Sequence, residues 1–328
     1  MKILVVGGAG YIGSHCVKGL LDEGYQVVVV DNLYRGHIKA IDSRAQFYKG
    51  DILDAPFLRR VFSENKIEGV IHFAANSLVG ESMEKPLLYF RNNVSGTESL
   101  LSTMHEFKVK YIVFSSSAAV YGEPKKIPIS EDASLNPTNP YGQTKVMMEQ
   151  MMKWCDQAYG MKYIALRYFN VAGADPSGVI GEDHRPETHL VPLVIDVALG
   201  RRDKLIIYGN DYLTKDGTCI RDYLHIEDLI SAHLLALKRL LDGGESDVFN
   251  LGSEAGYSVK EIIDATSKVV GHPIAFEYGP RRAGDPSILV ASRSKAMKEL
   301  HWHPKHTQIE DCIKDAYNFH KTHENGLE

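Results

Sequence analysis

Two side chains in the stretch NPYGQTK, the phenol of Tyr141 and the amine of Lys145, have types and a spacing that suit acid–base chemistry. On a helix, residues at positions i and i+4 lie on the same face, so these two groups would lie side by side. A free phenol has a pKa near ~10 and is a poor base at neutral pH, whereas a neighbouring ammonium group favours the phenolate. The spacing therefore indicates a general base at Tyr141, although a tyrosine and a lysine at this spacing also occur on solvated helix faces.

A serine at the end of a predicted strand strengthens this interpretation. The apolar run YIVF is followed by three serines, the last of which is Ser117. Open α/β sheets bind their ligands at the carboxyl ends of their strands, which is where these serines would lie. We therefore expect Ser117 to relay a proton between a substrate and Tyr141.

A glycine-rich stretch, GGAGYIG, places Gly7, Gly10 and Gly13 three residues apart, after a predicted strand and at the start of a predicted helix. Backbone amides at a helix N-terminus bind the pyrophosphate of a dinucleotide when no side chain keeps it away. Asp31, at the end of the next apolar run, is placed to hold a ribose diol and to repel a 2′-phosphate. The pattern predicts NAD, in preference to NADP, as the cofactor. The alternative is a tight strand–helix turn that binds no ligand.

Apolar runs alternate with segments of helical spacing in the first half of the chain. The runs are KILVV, QVVVVD, VIHFAA, YIVFSSS and YIALRYFN, and helical segments begin at Tyr11, Pro86 and Tyr141. Fully apolar strands separated by helices are typical of a parallel sheet covered on both faces. We therefore expect an α/β fold with a Rossmann-type doubly wound parallel sheet in an NAD-binding domain, residues 1–172. Longer loops then predict a smaller mixed α/β C-terminal substrate domain, residues 173–328, with some chain crossing between the two.

The overall composition excludes several classes of protein. The 328 residues carry a formal net charge of −5 without a basic block, so nucleic acid is not an expected partner. No apolar run approaches the ~18 residues needed to span a bilayer. The cysteines are far apart and lack CxxC spacing, which is typical of reduced thiols in a cytoplasmic protein. The histidines of HWHPKH, residues 301–306, lack a cysteine or acid to complete a site, so no metal is expected.

Several longer motifs give the chain a family resemblance over nearly its whole length. They are GGAGYIGSH, FSSSAAVYG, NPYGQTK, GNDYLTKDGTCIRDYLH and RRAGDP. With them the chain resembles the extended short-chain dehydrogenase/reductase superfamily, and within it the epimerases of nucleotide sugars. The resemblance implies an isomerase of galactose metabolism that interconverts UDP-galactose and UDP-glucose at C4, through a transient 4-keto sugar and tightly bound NAD. It also implies a homodimer that pairs the helices beginning at Pro86 and Tyr141.

The resemblance also implies roles for individual residues. Tyr141 would be the base, with Ser117 beside it, and Lys145 would bind the nicotinamide ribose. The cofactor-binding set would be Gly7, Gly10, Tyr11, Ile12, Gly13, Asp31, Asn32, Asp51, Ile52, Phe73, Ala74, Ala75, Asn92, Ser115, Tyr141, Lys145 and Tyr168. The substrate-binding set would be Ser117, Tyr141, Asn170, His189, Leu190, Tyr208, Arg221, Arg282 and Asp285. The chain departs from the family pattern with His189 in place of asparagine and with Leu289 where some members carry tyrosine, which leaves N-acetylated sugars open as substrates.

Other functions are compatible with parts of the pattern. A nucleotide-sugar 4,6-dehydratase needs an acid pair just after the strand serine, where this chain has Ala118 and Ala119. A reductase that releases NADH shares the fold and the cofactor. A non-catalytic NAD sensor would not need Ser117, Tyr141 and Lys145 together, so their joint presence argues against that alternative.

Overall fold

The computed structural model of this chain describes residues 1–282 and 286–327. Its strands are β1 Lys2–Val6, β2 Gln26–Asp31, β3 Gln46–Lys49, β4 Gly69–His72, β5 Tyr111–Ser115, β6 Lys162–Tyr168, β7 Asn170–Ala172, β8 Leu205–Tyr208, β9 Ile220–Arg221, β10 Tyr223–His225, β11 Asp247–Leu251, β12 Tyr257–Ser258, β13 Phe276–Gly279 and β14 Ile288–Leu289. Its α-helices are α1 Tyr11–Asp22, α2 Ala55–Glu64, α3 Val79–Glu84, α4 Pro86–Tyr89, α5 Gly96–Glu106, α6 Pro140–Tyr159, α7 Leu190–Ala198, α8 Ile226–Leu241, α9 Val259–Val270, α10 Ser294–Glu299 and α11 Ile309–Thr322.

A parallel sheet of seven strands, in the order β11–β6–β5–β4–β1–β2–β3, forms the centre of the described structure. Its inner strands are apolar on both faces, and Ile3, Leu4, Val5 and Val6 of β1 are all fully buried. One face packs against α1 and α8, and the other face packs against α2, α5 and α6. This arrangement confirms the predicted α/β fold with a doubly wound parallel sheet.

The strand order places a switch point at β1. The chain passes from β1 to β2 and β3 on one side, and then returns to β4, β5 and β6 on the other. Ligands of doubly wound sheets bind outside the carboxyl ends of the strands at such a point. The ends of β1, β4 and β5 therefore form the edge at which a site is expected.

The helices predicted from the apolar spacing are present, with one deviation. α1 begins at the predicted Tyr11, and α6 begins at Pro140, one residue before the predicted Tyr141. The helix predicted from Pro86 extends to the end of α5, but a π-helical segment, Phe90–Ser95, joins α4 to α5. A π-helical turn accommodates one residue more than an α-helical turn and often marks a functional site.

The second half of the chain contributes to both parts of the fold. β11 pairs in parallel with β6, and α8 packs in the same apolar cluster as α1, so both elements belong to the large sheet region. The smaller region holds three short sheets, β10–β7, β12–β9–β14 and β13–β8. Ile195, Ile262 and Ile313 of α7, α9 and α11 share its main apolar cluster. β11 and α8 thus join the large sheet region although they follow β7 to β10 of the smaller region in the sequence.

Membrane-spanning segments and cysteine pairing are two features for which the composition gave expectations. Within them, no helix is both long enough and apolar enough to cross a membrane. The cysteines, which are Cys16, Cys155, Cys219 and Cys312, are all free. The prediction of unpaired thiols is therefore confirmed.

A buried ion pair connects α6 to β6 beneath the end of β5. Arg167 donates from Nε and Nη2 to the two carboxylate oxygens of Glu149, at 2.9 and 2.5 Å, and both residues are at most 6% exposed. Nη1 of Arg167 donates to the hydroxyl of Tyr121 at 2.9 Å, and Oγ of Ser116 donates to Glu149 at 2.5 Å. Buried charges are stable only when they are fully paired, so this network fixes α6 against the sheet.

Replacing Arg167 by methionine should destabilise the protein, because it leaves the Glu149 carboxylate buried without its partner. We expect the free energy of unfolding to fall by about 3–5 kcal/mol, the usual cost of breaking a buried ion pair from one side. Urea unfolding followed by circular dichroism measures the change through the midpoint and slope of the transition.

The matched control is Arg59→Met, which removes an arginine from an exposed pair. Nε of Arg59 donates to Glu106 at 2.7 Å, but the two side chains are 52% and 47% exposed. An exposed pair contributes about 0.2–1 kcal/mol, so this variant should remain close to the wild type. Equal losses in the two variants would contradict the assignment of stability to the buried pair.

Candidate active site

The glycine loop connects β1 to α1 at the switch point of the sheet. Gly7 has a φ of +82°, and a Cβ placed on it would lie 2.6 Å from the backbone nitrogen of Ala74. A Cβ on Gly13 would lie 2.1 Å from the carbonyl oxygen of Gly7. Gly10 is the N-cap of α1 and offers no side chain to its first-turn amides. The loop is therefore tightly packed against β4 and leaves the start of α1 free of side chains, which fits a dinucleotide pyrophosphate.

Asp31 lies beside this loop at the end of β2. Its Oδ2 accepts a hydrogen bond from the amide of Ala9 at 3.0 Å, and its Oδ1 accepts one from the amide of Leu33 at 2.8 Å. Burial raises the pKa of the Asp31 carboxyl, and these two hydrogen bonds lower it in part. Each carboxylate oxygen has a second lone pair, which is what a ribose diol requires. The side chain of Asn32 donates to Asp51 at 2.9 Å and thereby continues the polar rim.

The three predicted catalytic residues line the same cleft as the glycine loop. Ser117 follows β5, while Tyr141 and Lys145 lie in the first two turns of α6. The side chain of Asn139 caps α6 by accepting the amide hydrogen of Gly142 at 2.8 Å, which fixes where the helix begins. Nζ of Lys145 donates to the carbonyl oxygen of Ser115 at 2.7 Å and lies 5.8 Å from the ring centre of Tyr141.

The electrostatics of these residues differ from the sequence-based expectation. Burial raises the pKa of Tyr141, and its hydrogen bond with Ser117 lowers that pKa only in part. Burial lowers the pKa of Lys145 to about 7, against the opposing effect of Glu149. Lowering of the phenol pKa by Lys145 and a positively charged nicotinamide ring together remains a prediction. Both side chains are buried, so desolvation disfavours the charged form of both groups.

Most of the predicted cofactor residues lie together. Those that line the cleft are Gly7, Gly10, Tyr11, Ile12, Gly13, Asp31, Asn32, Ile52, Phe73, Ala74, Ala75, Asn92, Tyr141, Lys145 and Tyr168. Asp51 and Ser115 lie just behind the lining. Asp51 contacts Asn32, and Oγ of Ser115 shares a hydrogen bond of 2.7 Å with the hydroxyl of Tyr168. The carboxyl edge of the sheet thus gathers residues from the whole first half of the chain.

The predicted substrate residues separate into two groups. Besides Ser117 and Tyr141, the cleft is lined by Asn170, His189 and Leu190. Tyr208, Arg221 and Arg282 lie outside that lining. The guanidinium of Arg282 stacks over the ring of Tyr208 at 4.1 Å, and Arg221 lies in β9, where Nη1 donates to the carbonyl of Ile220 at 2.7 Å. Asp285 lies outside the described residues.

Sequence reasoning missed a buried asparagine that supports the cleft from the π-helical segment. Asn93 accepts the amide hydrogen of Asn76 at 2.8 Å and donates to the carbonyl of Asn76 at 3.0 Å. It also donates to Oγ1 of Thr144 on α6 at 3.0 Å. Two adjacent asparagines are poor helix formers, and their occurrence inside the helical stretch YFRNNVSG was the available signal.

The loop before α7 supplies two further lining residues that sequence reasoning missed, Glu182 and His184. Burial by itself would lower the pKa of His184, but the carboxylates of Glu182 and Glu187 raise it to about 9. His184 also packs edge-on against the ring of Tyr11, at 6.4 Å between centroids. The signal for this cluster was the alternation of acids and histidines in GEDHRPETH.

Comparison with known proteins agrees with this geometry. A family model described as the NAD dependent epimerase/dehydratase family matches residues 3–252. A UDP-glucose 4-epimerase of Lactobacillus helveticus is 56% identical over 328 residues, which cover 100% of this chain and 99% of the relative. The resemblance found in the sequence is therefore confirmed.

Solved structures of epimerases have the same fold as this chain. The crystal structure of a UDP-glucose 4-epimerase has a TM-score of 0.98 and 57% identity, with 100% of both chains covered. The UDP-glucose 4-epimerase of Bifidobacterium longum in complex with NAD+ and UDP has a TM-score of 0.94 and 40% identity, covering 99% of this chain and 100% of that one. The chain therefore belongs to the NAD dependent epimerase/dehydratase family, and these similar relatives are UDP-glucose 4-epimerases.

Proposed function

We propose that this chain is an isomerase that interconverts UDP-galactose and UDP-glucose by epimerisation at C4, with NAD as a bound cofactor. The observation that carries the proposal is that Ser117, Tyr141 and Lys145 line one cleft with the glycine loop. The relatives named UDP-glucose 4-epimerase, at up to 57% identity, support the same reaction. The solved relative with NAD+ and UDP supports both the cofactor and the nucleotide part of the substrate.

The residues of the cleft suit NAD. The amides at the start of α1 and the tightly packed glycines would receive the pyrophosphate, and Asp31 would hold the adenosine ribose. The amine of Lys145, which donates to the carbonyl of Ser115, would also hold the nicotinamide ribose. When bound, NAD would supply the redox chemistry, reversible hydride transfer at C4 of the sugar.

The chain itself handles the proton. Tyr141, as phenolate, would take the proton of the sugar's 4-hydroxyl, with the hydroxyl of Ser117 as a relay between them. Because burial raises the pKa of Tyr141, the phenolate needs a positive charge beside it that the protein alone does not supply in full. Proton transfer by a positioned side chain typically accounts for about 10²–10⁴-fold in rate.

Inversion at C4 requires that the 4-keto sugar turn over while it stays attached to the enzyme. We assign the binding energy to UDP, the part of the substrate that does not react, so that the sugar itself is loosely held. Asn170 and Leu190 at the cleft, and Arg221 with the Tyr208–Arg282 pair beyond it, are the residues for this role. Guanidinium groups form paired, charge-assisted hydrogen bonds with a diphosphate.

The local sequence after β5 separates this reaction from that of a dehydratase. Elimination of water across C5 and C6 needs an acid and a base next to the serine. Here a short 3₁₀ turn, Ala118–Val120, follows Ser117, and Ala118 is only 8% exposed. Methyl groups at these positions transfer no proton, so epimerisation is favoured.

Replacing Tyr141 by phenylalanine should lower kcat by about 10²-fold or more, since it removes only the hydroxyl that moves the proton. The measurement is conversion of UDP-galactose by purified protein, with bound NAD quantified in the same preparation. Tyr163→Phe is the matched control, because Tyr163 is a buried tyrosine in the apolar cluster under the sheet and away from the cleft. Activity of Tyr141→Phe within about tenfold of the control, at equal NAD content, would rule out the base role.

The bound-cofactor cycle predicts a second result. Purified protein should convert UDP-galactose to UDP-glucose without added NAD, because hydrogen taken from the sugar is returned to it. With excess NAD added, reduced nicotinamide should not accumulate beyond the amount of enzyme. Steady formation of free NADH, measured by its near-ultraviolet absorbance, would instead identify a reductase.

We also propose that the protein is a cytoplasmic homodimer. The four free cysteines are consistent with a reducing compartment. The packed helices α3 to α6 expose large apolar side chains, since Met83, Leu87 and Trp154 are 61%, 80% and 68% exposed. Exposed apolar groups on adjacent elements are typical of an interaction surface, and a second copy of the chain would cover them.

The double variant Leu87→Glu/Trp154→Glu should therefore shift the protein from dimer to monomer, because it places charge in the apolar contact. Sedimentation velocity over a range of concentrations measures the change. Leu213→Glu is the control, since Leu213 is 96% exposed but lies outside these helices. A wild type that sediments as a monomer at all concentrations would refute the dimer.

A further inference from the structure

The segment 182–189, just before α7, brings four ligand-type side chains to one point. Its spacing is Glu182-x-His184-x-x-Glu187-x-His189, and one donor atom from each residue lies within 4.8 Å of the other three. Glu182 is only 4% exposed, and the rest of the cluster surrounds it. The proposed reaction makes no use of the buried Glu182 and the half-buried Glu187 carboxylates, so the cluster needs a separate explanation.

Each histidine nitrogen of the cluster lies close to an oxygen of both carboxylates. Nδ1 of His189 lies 2.9 Å from Oε1 of Glu182 and 2.9 Å from Oε1 of Glu187. Nδ1 of His184 lies 3.2 Å from Oε1 of Glu182 and 3.5 Å from Oε2 of Glu187. Four ligands with bonds of about 2.0–2.1 Å to a tetrahedral zinc ion are about 3.3 Å apart. Small side-chain shifts would therefore place an ion at the centre.

The Nδ1 atom of His184 provides a second observation. It is shielded from solvent and, within the described residues, makes no hydrogen bond, although carboxylate oxygens of Glu182 and Glu187 lie within 3.5 Å. Buried polar atoms of proteins are nearly always hydrogen-bonded. If a metal ion displaced the proton of this nitrogen, its lone pair would point at the ion and need no hydrogen bond, so an ion at this centre would account for the atom.

We propose that Glu182, His184, Glu187 and His189 bind one zinc ion. Two neutral imidazoles and two carboxylates compensate the ion's charge and match the nitrogen and oxygen ligands and the coordination number that zinc prefers. Calcium and magnesium take six or more oxygen ligands, so they do not suit the set. The sequence had led to the expectation of no metal, because the histidines of HWHPKH lack an acid in their own stretch. The site does not depend on the proposed reaction.

A second group, His225, Glu227 and His306, has similar composition but a different geometry. Nδ1 of His225 accepts the amide hydrogen of Glu227 at 3.1 Å, so the neutral ring carries its proton on Nε2, which faces Asp315 at 3.3 Å. The ring of His306 stacks on that of His225, at 3.9 Å between centroids, instead of converging with it on a common centre. This group caps α8 and serves as the internal control for zinc binding.

Zinc at the first group would fix a wall of the cleft. The segment that carries the ligands leads directly into α7, and His189 and Leu190 line the cleft. Oε1 of Glu187 already accepts the amide hydrogens of Thr188 and His189, at 2.6 and 2.7 Å, which folds the end of the segment. A bound ion would tie this turn to the buried Glu182, so its role is structural.

The experiment uses the full chain without an affinity tag, stripped of metal with a chelator and then titrated with zinc chloride by calorimetry. We expect one zinc ion per chain and a higher melting temperature with zinc than without it. Cobalt in place of zinc should give the visible absorption of a tetrahedral centre. Crystals grown with zinc should show an anomalous peak between these four side chains.

Three variants distinguish this site from other binding. His184→Ala and Glu187→Gln should each weaken zinc binding by more than about 100-fold, since even an outer partner of a metal ligand is worth 10–100-fold. His306→Ala should bind zinc like the wild type. Circular dichroism checks that each variant is folded. If a variant does not fold, the anomalous peak in crystals of the wild type still tests the site. No zinc uptake by the wild type, equal uptake by His184→Ala, or loss only in His306→Ala would overturn the proposal.

Discussion

The rest of the site depends on one contact, between the first turns of α6 and the end of β5. Lys145 is 3% exposed, and its amine donates to the carbonyl of Ser115 at 2.7 Å. One turn further along α6, Glu149 accepts from the next residue, Ser116, and from Arg167. Ser115 and Ser116, consecutive residues at the end of β5, thus form hydrogen bonds with two buried ionisable groups of α6, Lys145 and Glu149. The helix cannot slide or rotate without leaving a buried charge unpaired, so Tyr141 stays directed at the cleft.

The same burial that fixes this geometry disfavours the phenolate form of Tyr141 that the reaction needs. Desolvation raises the pKa of Tyr141 and lowers that of Lys145 to about 7, so neither group readily carries its charge in the protein alone. A positively charged ring beside the phenol would shift the balance towards phenolate. The phenolate would then form mainly when the cofactor is bound, which suits an enzyme that must not release the 4-keto sugar.

Beyond the sheet, the second half of the chain is organised by buried carboxylates. Both oxygens of Asp222 accept hydrogen bonds from the backbone, Oδ1 from the amide of Ser253 at 2.7 Å and Oδ2 from that of Ala291 at 3.0 Å. This bonding holds three distant segments together next to β9, and so positions Arg221. Glu182, which lines the cleft, likewise lies between two partners, His184 and His189. Long loops can thus present ligand-binding groups in fixed positions without long strands of their own.

Periodicity and glycine spacing in the sequence determined the doubly wound sheet, the α1 and α6 helices, and the meeting of Gly7, Asp31, Ser117, Tyr141 and Lys145. These follow from local rules, because parallel strands bring their carboxyl ends to one edge whatever the loops do. Only the tertiary structure decided the sign of the Tyr141 pKa shift, the π-helical segment and the convergence of Glu182 with His189. Desolvation and side-chain convergence are set by atoms far apart in the chain, and no local pattern encodes their distances.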